Sequence, residues 1–375
     1  MRVFLVLPFL ALSLLVGCVG ERREPVDLKK IQKAVELEKI WKKSLGDSEG
    51  EIFTPASNGV VVCGASKKSV TCFSLDAGDE VFETKLQSSL AGGVGISDDY
   101  VFVGAIDGSV TALRMSGDIH WIADVGNVVT SPPVLSGPTV VIRDIAQRVV
   151  GLDAENGQEL WDFRPPGQSL SLKSDSRLSV DQEGAVYAGF PGGIALRLNG
   201  VSGEVAWSVS VTTPSGDNEI ERISDVLGAP LLIEDMACFG TYQGRIGCYS
   251  SELGEQRWSV PASVAGGVVS DGIQLFSTES NGHVRAIDLK TGRAGWRNED
   301  LLYRRLSSPI TLSSYVIVGD VEGVISVFNS NTGEIIGRQK TDGTPIVASP
   351  IVVADKIIVQ TSGGSLFAFE LSQDI

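Results

Sequence analysis

One spacing recurs along the chain and constrains its fold more than any other feature: a short polar residue, three residues, Gly, three residues, Trp. It reads Asp153, Gly157, Trp161, then Asn199, Gly203, Trp207, then Ser250, Gly254, Trp258, and then Asp288, Gly292, Trp296. Arg114, Gly117 and Trp121 repeat it one residue shorter, and degenerate copies end at Phe82 and Gly337. Ahead of each copy lies a hairpin, marked in several by an X-Gly pair between two alternating apolar runs. Val101–Gly104, Asp107-Gly108 and Val110–Leu113 show it in full, and Gln243-Gly244, Asn281-Gly282 and Glu322-Gly323 hold the same turn elsewhere. Ahead of that, a short strand opens with Ser-Pro at Ser131, Ser308 and Ser349.

Each unit of roughly 40 residues therefore holds four short strands, the period of a propeller blade. Seven units close at Phe82, Trp121, Trp161, Trp207, Trp258, Trp296 and Gly337. An eighth begins near Ile346 and runs out at Phe369 one strand short, and Ile40–Leu45 at the other end can supply that strand. The predicted fold is an all-β, eight-bladed β-propeller of four-stranded antiparallel blades, closed by pairing the N- and C-terminal strands. Closure removes the open edges that a linear array exposes. Trp121, Trp161, Trp207, Trp258 and Trp296 are then blade-docking residues, because equivalence around a ring is what packing between blades requires.

Composition narrows the chemistry. A net charge of −15 argues against nucleic acid, whose phosphates demand a basic footprint. Two His and five Cys among 375 residues leave little material for a His triad or a zinc cluster, and no metal site is expected. Asp98-Asp99 reads as a solvated loop. Arg143 and Asp144 fall where other blades show Gly, which the repeat does not explain.

The N-terminus reads as a targeting segment. Met1-Arg2 precedes an apolar run from Val3 to Val16, and Leu15-Val16-Gly17-Cys18 resembles a bacterial lipobox. Residues 1–17 are expected to be a lipoprotein signal peptide, Cys18 the lipidated residue, 18–39 a charged tether and 40–375 the propeller. A short helix from about Val26 is the alternative for part of the tether.

The thiols follow from hairpin register. A two-residue turn at Lys67-Lys68 sets Cys63 opposite Cys72 at a non-hydrogen-bonded pair, within reach of a disulfide in an oxidising compartment. A two-residue turn at Gln243-Gly244 would set Cys238 opposite Tyr249 and Cys248 opposite Phe239, on opposite faces of the sheet. These two are expected to be free, buried thiols.

The unit running from Ala286 through Asp288 and Gly292 to Trp296 resembles the tryptophan-docking motif of quinoprotein-like propellers. With the lipobox and a single eight-bladed body, the chain resembles the BamB family, the propeller lipoproteins of the outer-membrane β-barrel assembly machinery, over about Trp41 to Phe369. That resemblance implies a non-enzymatic scaffold on the outer membrane, lipid-anchored and facing the periplasm, with no cofactor. Its implied partners are the periplasmic POTRA region of the central barrel insertase (BamA-like), other lipoproteins of the complex and nascent outer-membrane proteins. Ser169–Lys173 and Glu219–Val226 resemble the two segments with which the family holds the insertase, which assigns partner binding to Leu170, Leu172, Lys173, Arg222 and Asp225. The chain departs from the family pattern with Lys173 in place of Arg and Leu227 in place of a second Asp; Lys keeps the charge but loses the bidentate fork. Both segments follow a fourth strand and precede the next first strand, so they are expected side by side on one face. The alternative reading is a dehydrogenase binding pyrroloquinoline quinone, or a ligand-binding propeller. Such enzymes tend to be longer and often carry adjacent Cys over the quinone, which this chain lacks.

Overall fold

The computed structural model describes residues 23–165, 172 and 176–373. Their strands form eight four-stranded antiparallel sheets, in seven of which each strand pairs only with its sequence neighbours. We number the sheets as blades in chain order: blade 1 (56–85), blade 2 (90–124), blade 3 (134–163), blade 4 (179–210), blade 5 (226–262), blade 6 (264–298), blade 7 (310–340) and blade 8 (351–373). Blade 8 takes its fourth strand from Val35–Ser44, which pairs antiparallel with Ser365–Gln373. The ring closes as the repeat requires, but the closing strand begins at Val35 rather than Ile40, so residues 35–39 are strand and not tether. No helix forms from Val26 to Lys39.

The first strands of neighbouring blades meet round the axis. Antiparallel order then puts the turns between second and third strands, and the connections from one blade to the next, on one face. We call it the top face.

The core is not central but divided among the junctions. Eight apolar clusters form among the described residues, one between each pair of adjacent blades. This lets a single domain outgrow the size that one core supports.

The repeated spacing has a physical meaning at each position. Asp153 Oδ1 accepts the N–H groups of Glu155 and Asn156 at 2.9 and 3.1 Å, forming the turn between third and fourth strands. Gly157 takes φ +75° in that turn, and a Cβ there would lie 2.6 Å from Cε3 of Trp121 in the preceding blade. Trp121 Nε1 donates to Ala154 O of the same turn at 2.9 Å. Trp161, Trp207, Trp258 and Trp296 donate likewise to Gly200, Ser251, Leu289 and Ser330 carbonyls of the next blade. Trp41 does the same to Leu75 O at 3.1 Å and is a sixth equivalent. Blade 7 has Gly337 instead because blade 8 has no turn for a Trp to dock on: its third and fourth strands belong to opposite ends of the chain. Val35 fills the space, 2.8 Å from where a Cβ of residue 337 would stand.

The expected state of one thiol pair is corrected as well. Blade 1 has the expected register, Cys63 opposite Cys72, and their sulfurs are bonded. In blade 5, Cys238 pairs with Cys248 rather than with Tyr249, and these sulfurs are bonded too. The chain there turns about Gln243, at φ +46°, with Thr241 Oγ1 accepting from Arg245 N–H at 2.6 Å. An odd number of turning residues shifts the register by one and brings both sulfurs to the same face.

Candidate partner-binding site

The connection from blade 3 to blade 4 and that from blade 4 to blade 5 lie side by side on the top face. The main-chain N–H of Leu172, in the first, donates to Asp225 Oδ2, in the second, at 2.7 Å. The two segments singled out in the sequence are thus joined by a hydrogen bond to a carboxylate. Leu172 is half-buried; Cys18, Leu170 and Lys173 lie outside the described residues.

Asp225 itself is 4 % exposed. Burial pushes its pKa above the usual carboxylate value, while the Leu172 and Gly192 N–H groups and the charge of Arg143 pull it back down. Its role in this geometry is to hold the connection that carries Leu172. Arg222 is exposed near the tip of the long 211–225 connection, where its Nε donates to Gly216 O at 3.0 Å and its Nη1 lies 3.7 Å from Glu219. Ile220 stands 70 % exposed on the same tip.

Arg143 is the residue that sequence reasoning noticed without explaining. It ends the second strand of blade 3 and is 3 % exposed, with its guanidinium 4.8 Å from the Phe190 ring and hydrogen-bonded to Gln147. Burial lowers its pKa to about 10, against the opposing charges of Asp225 and Asp144, so it stays cationic at neutral pH. Where other blades have Gly, blade 3 thus has a buried cation that feels the charge of Asp225. The signal was the break in the repeat.

These side chains border a cavity of about 310 Å³ at the top of the ring. Ile52, Ala91, Ile106, Val128, Ile145 and Pro191 make its wall largely apolar, with Arg143, Asp225 and Glu51 set into it. Among the described residues no three His, Cys, Asp or Glu side chains gather as a metal site of those groups would require.

Comparison with known proteins places this geometry. A family model described as outer membrane protein assembly factor BamB matches residues 66–298 and 280–373. The chain belongs to the BamB family. It is 33 % identical to the outer membrane protein assembly factor BamB of Burkholderia pseudomallei, over 93 % of this chain and 92 % of that protein. It is 32 % identical to the BamB of Bordetella pertussis, over 92 % and 90 %. The crystal structure of BamB from Moraxella catarrhalis superposes with a TM-score of 0.83 at 22 % identity, over 89 % of this chain and 99 % of that one. The quinohemoprotein alcohol dehydrogenase of Comamonas testosteroni shares the ring, with a TM-score of 0.68 at 14 % identity over 90 % of this chain and 76 % of that one. The fold is common to both; the sequence relationship is to the BamB family.

Proposed function

We propose that the chain is a non-catalytic scaffold of outer-membrane protein assembly, anchored by a lipid on Cys18 and facing the periplasm. It holds the POTRA region of the central barrel insertase at the Leu172–Asp225 site and so aids folding and insertion of outer-membrane proteins, beside the other lipoproteins of the complex. Family membership supports the process. The observation that carries the site is the Leu172 N–H to Asp225 bond, which unites the two segments on one face of a rigid ring.

Leu170, Leu172, Lys173 and Arg222 supply the contact in this reading, and Asp225 positions it. Each leucine fully buried on a partner contributes roughly 1.5–3 kcal/mol. An affinity pull-down from detergent-solubilised envelopes tests it. Leu170→Ala/Leu172→Ala should melt as wild type and lose most of the insertase, whereas Lys173→Ala should lose less. A double variant that co-purifies the insertase at wild-type level would put the site elsewhere on the propeller.

A further inference from the structure

Residues 23–34, expected to be free tether, lie instead along the outside of blade 7. Val26 N–H donates to Leu302 O at 3.1 Å, and Arg304 Nη1 donates to Val26 O at 2.8 Å. Further along, Lys29 pairs with Asp300, Arg338 donates to Lys29 O, and Ala34 N–H donates to Ile336 O at 2.9 Å. Leu28 and Ile31 are half-buried against the apolar cluster between blades 6 and 7. Arg304, 1 % exposed, is held from behind by Asp320 at 2.7 Å and by Glu322. At the upstream end the Arg23 guanidinium sits 5.1 Å from the Tyr303 ring centre.

The place where this segment leaves the body is therefore set. Tyr303 and Arg304 belong to the connection from blade 6 to blade 7, on the top face, two to three blades round the ring from Asp225 and Leu172. Cys18 lies only five residues before Arg23. Five extended residues reach at most about 18 Å, whereas the seventeen from Cys18 to Val35 would reach about 60 Å if none were docked.

We propose that residues 23–34 are a docked strap that turns the top face of the propeller toward the bilayer and holds its rim at Tyr303 within about 18 Å of the lipid. This rests on the anchoring of Cys18 proposed above. The Leu172–Asp225 site then lies on the same face as the lipid attachment, two to three blades round the rim.

The test uses the full lipoprotein in phospholipid vesicles whose headgroups carry an acceptor dye. A donor dye is placed through Arg305→Cys on the top face or Lys290→Cys on the opposite face, both exposed positions. Transfer should be strong from 305 and weak from 290. Leu28→Asp/Ile31→Asp, which detaches the strap without touching a blade, should bring the two signals together. Amide exchange at Val26 and Ala34 should be slow in wild type and fast in that variant. Equal transfer from both positions in acylated wild type would overturn the orientation, and fast exchange at Val26 and Ala34 would overturn the strap. A mass spectrum showing Cys18 without acyl chains would overturn the anchoring itself, which the exchange measurement does not depend on.

Discussion

On the proposed reading, Asp225 is a buried charge that serves a surface contact without taking part in it. Its carboxylate accepts the Leu172 N–H at 2.7 Å, and a hydrogen bond to a charged group contributes about 1.5–3 kcal/mol. Asp225→Ala removes that hold and should cut insertase capture several-fold. Asp225→Asn keeps an acceptor oxygen and should retain most of the capture; equal losses in the two variants would sink the positioning role. The pH dependence has a definite sign. Burial raises the folded-state pKa above the unfolded one, so between the usual carboxylate value near 4 and the raised value the folded chain keeps a proton that the unfolded chain has lost. Stability from this group is fully present below that window and falls as pH rises through it. The Asn variant should lose that slope, which melting temperatures of the two proteins across pH 3–8 will show.

At the scale of elements, the closing strand and the strap should separate cleanly. Val35, Leu37, Trp41 and Leu45 are buried, each contributing roughly 1.5–3 kcal/mol, together comparable with the whole stability of a folded domain at about 5–15 kcal/mol. A chain lacking everything through Leu45 should fail to melt cooperatively. Removal of residues 19–33 costs the half-buried Leu28 and Ile31, the Lys29 pair and the hydrogen bonds of Val26 and Lys29 to Leu302, Arg304 and Arg338, on the order of a few kcal/mol and less than loss of the closing strand. Equal midpoints in thermal melts would refute the closure as described. Blade 7 offers a second check. Gly337→Trp restores the repeat, yet should destabilise by roughly 1–3 kcal/mol, since Val35 occupies the space and no turn awaits the indole. A rise in the denaturation midpoint would show that the docking turn can be dispensed with.

For the molecule as a whole, charge and rigidity divide the work of recognition. The chain carries −15, and exposed charges act mainly on encounter rate and orientation. Asp225 is shielded in the clamp while Arg222 stands in solvent beside Ile220. The association rate with purified insertase should therefore lose part of its salt dependence in Arg222→Ala and keep it in Asp225→Asn. The reverse pattern in stopped-flow measurements at two ionic strengths would mean that Asp225 meets the partner directly.

Much of the architecture was legible because it is repeated. A polar residue that caps a turn, a Gly that must take positive φ beneath an indole, and a Trp that donates across the junction recur at one spacing, so local chemistry copied many times determines the ring. The two segments that meet at the Leu172–Asp225 bond were singled out through resemblance, and their adjacency through the alternation of strand direction. What sequence alone left undecided depended on a single residue more or less, or on distant contacts. The disulfide of Cys238 and Cys248 hinges on an odd-numbered turn at Gln243, which an X-Gly signal does not distinguish from an even one. The placing of Asp225 in a buried clamp depends on the Leu172 N–H, more than fifty positions earlier. The docking of residues 23–34 depends on Arg304 and Ile336, about three hundred positions later. Backbone propensity and spacing are local and can be read along the chain; burial and charge pairing between remote segments exist only once the ring has closed.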